Sequence, residues 1–113
     1  MQITTLFSRA CLAALLCLLG TVHSAHADAF AEGLQSYEAK AFTAAIQHFE
    51  TALETQPETA ALRHNLALAY FQTGKPAEAL WQLERAHRLA PTDSAIIAKI
   101  QLLKQQIGLF PTP

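Results

Sequence analysis

With 113 residues the chain has room for one small domain, which excludes a two-lobed enzyme with a cleft between its lobes. Eight Lys and Arg against nine Asp and Glu leave no basic stripe to neutralise phosphates, which argues against a nucleic-acid partner. Half of the residues are hydrophobic, so a packed core is possible in composition if not ample in length.

Residues 1–27, MQITTLFSRACLAALLCLLGTVHSAHA, hold one charge, Arg9, then an apolar run from Ala10 to Leu19, then small and polar residues ending in Ala25-His26-Ala27. That order of zones reads as a cleaved secretory signal peptide, with a mature chain starting at Asp28 and a periplasmic or secreted destination. The apolar run is about half of the roughly 20 residues a membrane span needs, so a membrane is reached only through an uncleaved signal. Both cysteines, Cys11 and Cys17, fall inside this segment without the flanking pattern of a lipoprotein signal, so the mature chain has neither disulfide nor thiol nucleophile.

Residues 28–59 carry apolar side chains at helical intervals on both sides of Ala39-Lys40-Ala41, which predicts two helices joined by a turn. Residues 60–91 show the same arrangement more sharply. Leu62, Leu66, Ala69 and Tyr70 share one helical face; so do Ala79, Leu80, Leu83, Ala86 and Leu89. Gly74 is suited to end the first of these helices with positive φ, and Pro76 to open the second, where its missing N–H would be unpaired anyway. In residues 92–108, Thr92, Asp93 and Ser94 are candidate caps for a helix carrying Ala95, Ile96, Ile100, Leu103 and Ile107, stopped by Gly108; residues 109–113 form a tail.

Sliding the chain until Pro57 falls on Pro91 pairs Ala45 with Ala79, Phe49 with Leu83, Ala52 with Ala86 and Gly33 with Ala67. In period and pattern the chain resembles the tetratricopeptide repeat family. Leu66, Ala67, Tyr70, Gly74, Ala79, Leu83, Ala86 and Pro91 match its motif, with Arg63 in place of the opening Trp. The first copy keeps Gly33, Phe42, Ala45, Phe49, Ala52 and Pro57 but has Ser36 for the usual Tyr and Lys40 for the turn glycine. The resemblance implies an all-α fold: antiparallel helical hairpins in a short right-handed solenoid of two repeats (28–59, degenerate, and 60–91) plus a C-terminal capping helix (92–108). A lesser resemblance is to the repeat module of Bat-type aerotolerance proteins, without their membrane segment and further domain. Two repeats are fewer than such stacks usually need, so support from self-association or a partner is expected.

Nothing in the motifs points to catalysis, a cofactor or a metal. His48, His64 and His87 lack ligand spacing and are expected to face solvent or pack partly. Glu50, Glu54 and Glu58 read as a solvated face, and Trp81 as a side chain packed against a neighbouring helix.

The resemblance also implies a concave groove lined by the first helix of each pair. Carried onto this chain, its lining is Phe30, Leu34, Tyr37 and Glu38, then His64, Asn65, Leu68, Phe71 and Gln72, then Ala98, Lys99, Leu102 and Gln105. Such a groove is mostly apolar and suits a protein or peptide partner held by aromatic and aliphatic anchors. Of the family's carboxylate clamp, Asn65 and Lys99 match two positions while Phe30, Leu34 and Ala95 fail three, so carboxylate recognition is not expected. The resulting function is a non-catalytic protein-interaction module. The alternative is a structural or assembly subunit whose groove is filled by homo-oligomerisation.

Overall fold

A computed structural model describes residues 29–108. The expected signal peptide at 1–27, its cleavage point and the tail at 109–113 lie outside the described residues. Among those described, five helices occur: α1 (Ala29–Glu38), α2 (Phe42–Thr55), α3 (Ala60–Gln72), α4 (Pro76–Leu89) and α5 (Ser94–Gln106). Sequential helices pack against each other throughout, and α1 also touches α3.

Local chemistry sets the boundaries. Thr59 caps α3, its hydroxyl oxygen accepting from the Leu62 N–H at 3.1 Å. Of the three candidate caps before α5, Asp93 acts, accepting from the N–H groups of Ala95 and Ile96. Helices α2 and α4 have no side-chain cap because each starts directly out of a tight turn.

The two tight turns share one hydrogen-bond pattern. Lys40 N–H donates to Tyr37 O and Ala41 N–H to Ser36 O, while Gly74 N–H donates to Phe71 O and Lys75 N–H to Tyr70 O. Both are Schellman closures, which require a left-handed residue at their centre. Gly74 supplies it with φ 73°, and Lys40 adopts it with φ 59° despite its side chain. The turn lacking glycine therefore has the same geometry as the turn that has it, at a conformational cost.

The interior divides into two apolar clusters. The first gathers Ala45, Ile46, Phe49 and Ala52 of α2 with Leu62, Leu66 and Ala69 of α3. The second gathers Ala79, Leu80, Leu83 and Ala86 of α4 with Ala67 of α3 and Ile96, Ile100 and Leu103 of α5. Helix α3 serves both, and Tyr70 packs against each. The pattern accounts for burial on several sides of α3, where a surface helix would show a single apolar stripe.

Polar ties cross the same joints, most of them at the surface. Tyr70 OH donates to Glu50 Oε1 at 2.6 Å, joining α3 back to α2. Burial, reinforced by that carboxylate, pushes the Tyr70 hydroxyl pKa up to about 12, so it remains a donor at any ordinary pH. One repeat further along from each partner, Lys104 Nζ meets Glu84 Oε1 at 3.3 Å and joins α5 to α4. Glu58 accepts from both Arg63 and Arg85, whose guanidinium groups hold its carboxyl below the usual carboxylate range. Arg63 also donates to Gln82 Oε1 at 2.8 Å. Glu50 and Glu58 are thus tied to other helices and are more than a solvated face. Trp81 stays 54% exposed, with the guanidinium carbons of Arg85 on its own helix and Arg63 on the neighbouring α3 5.2 and 5.7 Å from its ring.

Candidate functional site

Helices α3 and α5 lie side by side over α4 and leave a shallow apolar cavity between them. Ala67, Leu68 and Phe71 line it from α3, Lys99, Leu102 and Leu103 from α5, and Leu83 of α4 forms its floor. Its volume is about 60 Å³, room for part of a side chain rather than for a small-molecule substrate. The wall residues Phe71 and Leu102 are 40% and 52% exposed, large apolar side chains kept at the surface where the core has no use for them.

The local sequence dictates this arrangement. On α3, Leu62, Leu66 and Ala69 face inward, which turns Leu68 and Phe71 toward α5. On α5, Ile96, Ile100 and Leu103 are buried, which places Lys99 and Leu102 on the neighbouring edge facing α3. Among the described residues Lys99 is the only charged side chain in the lining.

The expected groove residues do not all meet. Leu68, Phe71, Lys99 and Leu102 converge in one cavity. His64 lies within the electrostatic reach of Lys99 and Asp93; burial lowers its pKa and Lys99 lowers it further, so the ring is neutral at pH 7. Its Nε2 is buried without a hydrogen-bond partner, as is Nδ1 of His87. Asn65 turns its amide back on its own helix, donating to Ala61 O at 2.8 Å, and Gln72 is exposed. On α1, Phe30, Leu34 and Tyr37 pack against the first core cluster: Phe30 meets the Phe49 ring at 5.8 Å and Tyr37 the Phe42 ring at 5.2 Å. Phe30 also borders a separate depression beside Pro57, Thr59 and Leu62. Glu38, Ala98 and Gln105 are exposed.

Ala67, Leu83 and Leu103 were not among the expected lining. Their signal is present, since all three are core positions beside the groove residues, but a reading that gives each helical face a single role passes over them. No group of three or more His, Cys, Asp or Glu able to hold a metal ion occurs among the described residues. None of the described helices is long and apolar enough to cross a membrane.

Comparison with protein families finds the Tetratricopeptide repeat over residues 36–107, a stretch running from the end of α1 through α5. Among curated proteins none matches the chain. Members of the matched family are generally non-catalytic modules that mediate protein–protein interaction. With that match over well more than half of its length, and hairpins that repeat at the spacing of Pro57 and Pro91, this chain belongs to the tetratricopeptide repeat family.

Proposed function

We propose that the chain is an exported adaptor that holds a protein or peptide partner in the trough between α3 and α5. The observation that carries this reading is the convergence of Leu68, Phe71 and Leu102 around one apolar cavity with two of the three kept exposed. A partner inserting one aliphatic or aromatic side chain there would bury the edges of Phe71 and Leu102, and burial of each anchor is the main source of affinity in such contacts. Export is inferred from residues 1–27, with partners sought outside the cytoplasm. N-terminal sequencing of protein recovered from the periplasm is expected to begin at Asp28.

The functional test is a pulldown from periplasmic extract with wild type and with the double substitution Leu68→Glu, Phe71→Glu. Selective loss of partners from the variant, at unchanged helical signal and melting temperature, is the expected result. Identical partner sets with a folded variant would refute the groove reading.

A further inference from the structure

The three odd-numbered helices are successive copies of one element. Asp93 caps α5 as Thr59 caps α3; Ile96 and Ile100 take the places of Leu62 and Leu66; and Gly108 ends α5 with φ 74° as Gly74 follows α3 with φ 73°. Each is offset from its counterpart by the spacing that separates Pro57 from Pro91. In this series α1 touches α3, and the far side of α3, with Ala67 in the second cluster and Leu68 and Phe71 on the cavity wall, borders α5. The corresponding far side of α5, carrying Gln101, Leu102 and Gln105 with Ala98 beside them, is exposed.

Charge follows the same axis. The acidic side chains of α1 are Glu32 and Glu38, and those of α2 are Glu50 and Glu54, with His48 beside Glu32 at 3.1 Å. The charged side chains of α5 are Lys99 and Lys104. At 100° per residue, Lys99 and Lys104 flank the exposed face of α5 on its two sides, and Glu32 and Glu38 flank Ala31 and Gln35 on the exposed face of α1. The α1 end is mainly acidic, with Lys40 in its turn, and the α5 end mainly basic, with Asp93 at its cap; small and amide side chains lie between the charges, joined on α5 by Leu102.

We infer that a second copy of this chain docks head to tail, its α1 seated on the far face of α5, so that the series of first helices continues from one molecule into the next. The contact is heterologous, so it uses different surfaces on the two partners and extends into short open stacks instead of closing at a dimer. Glu32 and Glu38 of one copy face Lys99 and Lys104 of the other. The existing pairs Glu32–His48 and Lys104–Glu84 lie at the surface and are exchanged at little cost. The contact shares Lys99 and Leu102 with the edge of the cavity between α3 and α5.

The test is sedimentation of the full chain, as the host processes it, at rising ionic strength. Raising salt from about 0.01 M to about 0.15 M shortens the screening length from about 30 Å to about 8 Å, and the dissociation constant is expected to rise about tenfold or more. Association that strengthens with salt, or a strictly monomeric protein at low salt, would overturn the inference. The pair Lys99→Glu, Lys104→Glu and the pair Glu32→Lys, Glu38→Lys are each expected to be monomeric alone, having like charge at both ends, and to associate when mixed, since both ends of one then complement both ends of the other. Circular dichroism confirms folding of each. Should a reversed pair not fold, Glu32→Gln, Glu38→Gln is expected to weaken association without abolishing the helical signal. Reversed variants that associate alone, or fail to associate when mixed although folded, would refute a head-to-tail contact.

Discussion

The first hairpin sets Gly33 against Phe49, whereas the second sets Ala67 against Leu83 at the equivalent positions of the next repeat. All four are buried, with Phe49 fully so and Ala67 and Leu83 at 1% exposure. A smaller residue on one helix accompanies a larger one on the other, so similar space is filled twice by different pairs. The repeat therefore fixes the combined volume at a joint more strictly than the residue at either position, as expected of interiors packed at near-crystalline density. A second contrast lies in the inter-unit tie: Tyr70 reaches back to Glu50, while its counterpart Ser36 lies on α1, with no described helix before it to reach.

The largest effect is expected from breaking the first pair. A methyl group on Gly33 would overlap the ring of Phe49, which is held on all sides. Gly33→Ala should therefore cost about 1–3 kcal/mol by overpacking, despite the helix propensity it gains. Adding Phe49→Leu, which installs the pair of the second hairpin, should recover much of that loss, and a double-mutant cycle by urea unfolding measures the coupling. Strict additivity would show that the two sites do not share their volume.

The turns come next. Gly74→Ala places a Cβ where φ is 73° and should destabilise by about 1 kcal/mol. Lys40→Gly should stabilise by about 0.5–1 kcal/mol, the unfolded-chain freedom of glycine offsetting part of the strain in both substitutions. A loss at Lys40 would mean that the two turns are not conformational equivalents. A similar or smaller loss, about 0.5–1 kcal/mol by thermal unfolding, is expected from Tyr70→Phe, which removes a partly exposed hydrogen bond while retaining the ring in both clusters.

Much of this fold was legible in the sequence because its determinants are local or periodic. Gly74, Pro76 and the spacing of Leu62, Leu66 and Ala69 are read within a turn or two of helix. The left-handed Lys40 was visible only as a missing glycine, since its conformation is imposed by the helices on either side. Glu58 illustrates what was not legible: its partner Arg85 is 27 residues away, and only the packed hairpin brings them together. Of the expected groove residues, Leu68, Phe71, Lys99 and Leu102 meet at one cavity, because α3 and α5 both border it, whereas Phe30 and Tyr37 of α1 lie against Phe49 and Phe42; which of them a partner touches is not written in helical spacing.

The smallest expected effect exploits the same inequality. His64 occupies in the second hairpin the place of Phe30 in the first, so the joint with α5 contains an imidazole where the earlier joint has an apolar ring. Burial disfavours the imidazolium, and Lys99 opposes it further against a weaker pull from Asp93, so the folded pKa lies below the ordinary 6.5. Between those two values the unfolded chain binds a proton that the folded chain resists. Stability therefore falls as pH drops below 6.5 and levels off once the folded pKa is passed. The Glu58 carboxyl, held down by Arg63 and Arg85, loses its contribution only at lower pH, through and below 4.5, which separates the two windows. Melting temperatures measured from pH 7.5 down to about pH 5 should decline in the wild type and stay flatter in His64→Phe, the substitution that copies the first hairpin. An unchanged slope in that variant would show that His64 is free to take up its proton in the folded state, and that the two joints differ in shape but not in charge.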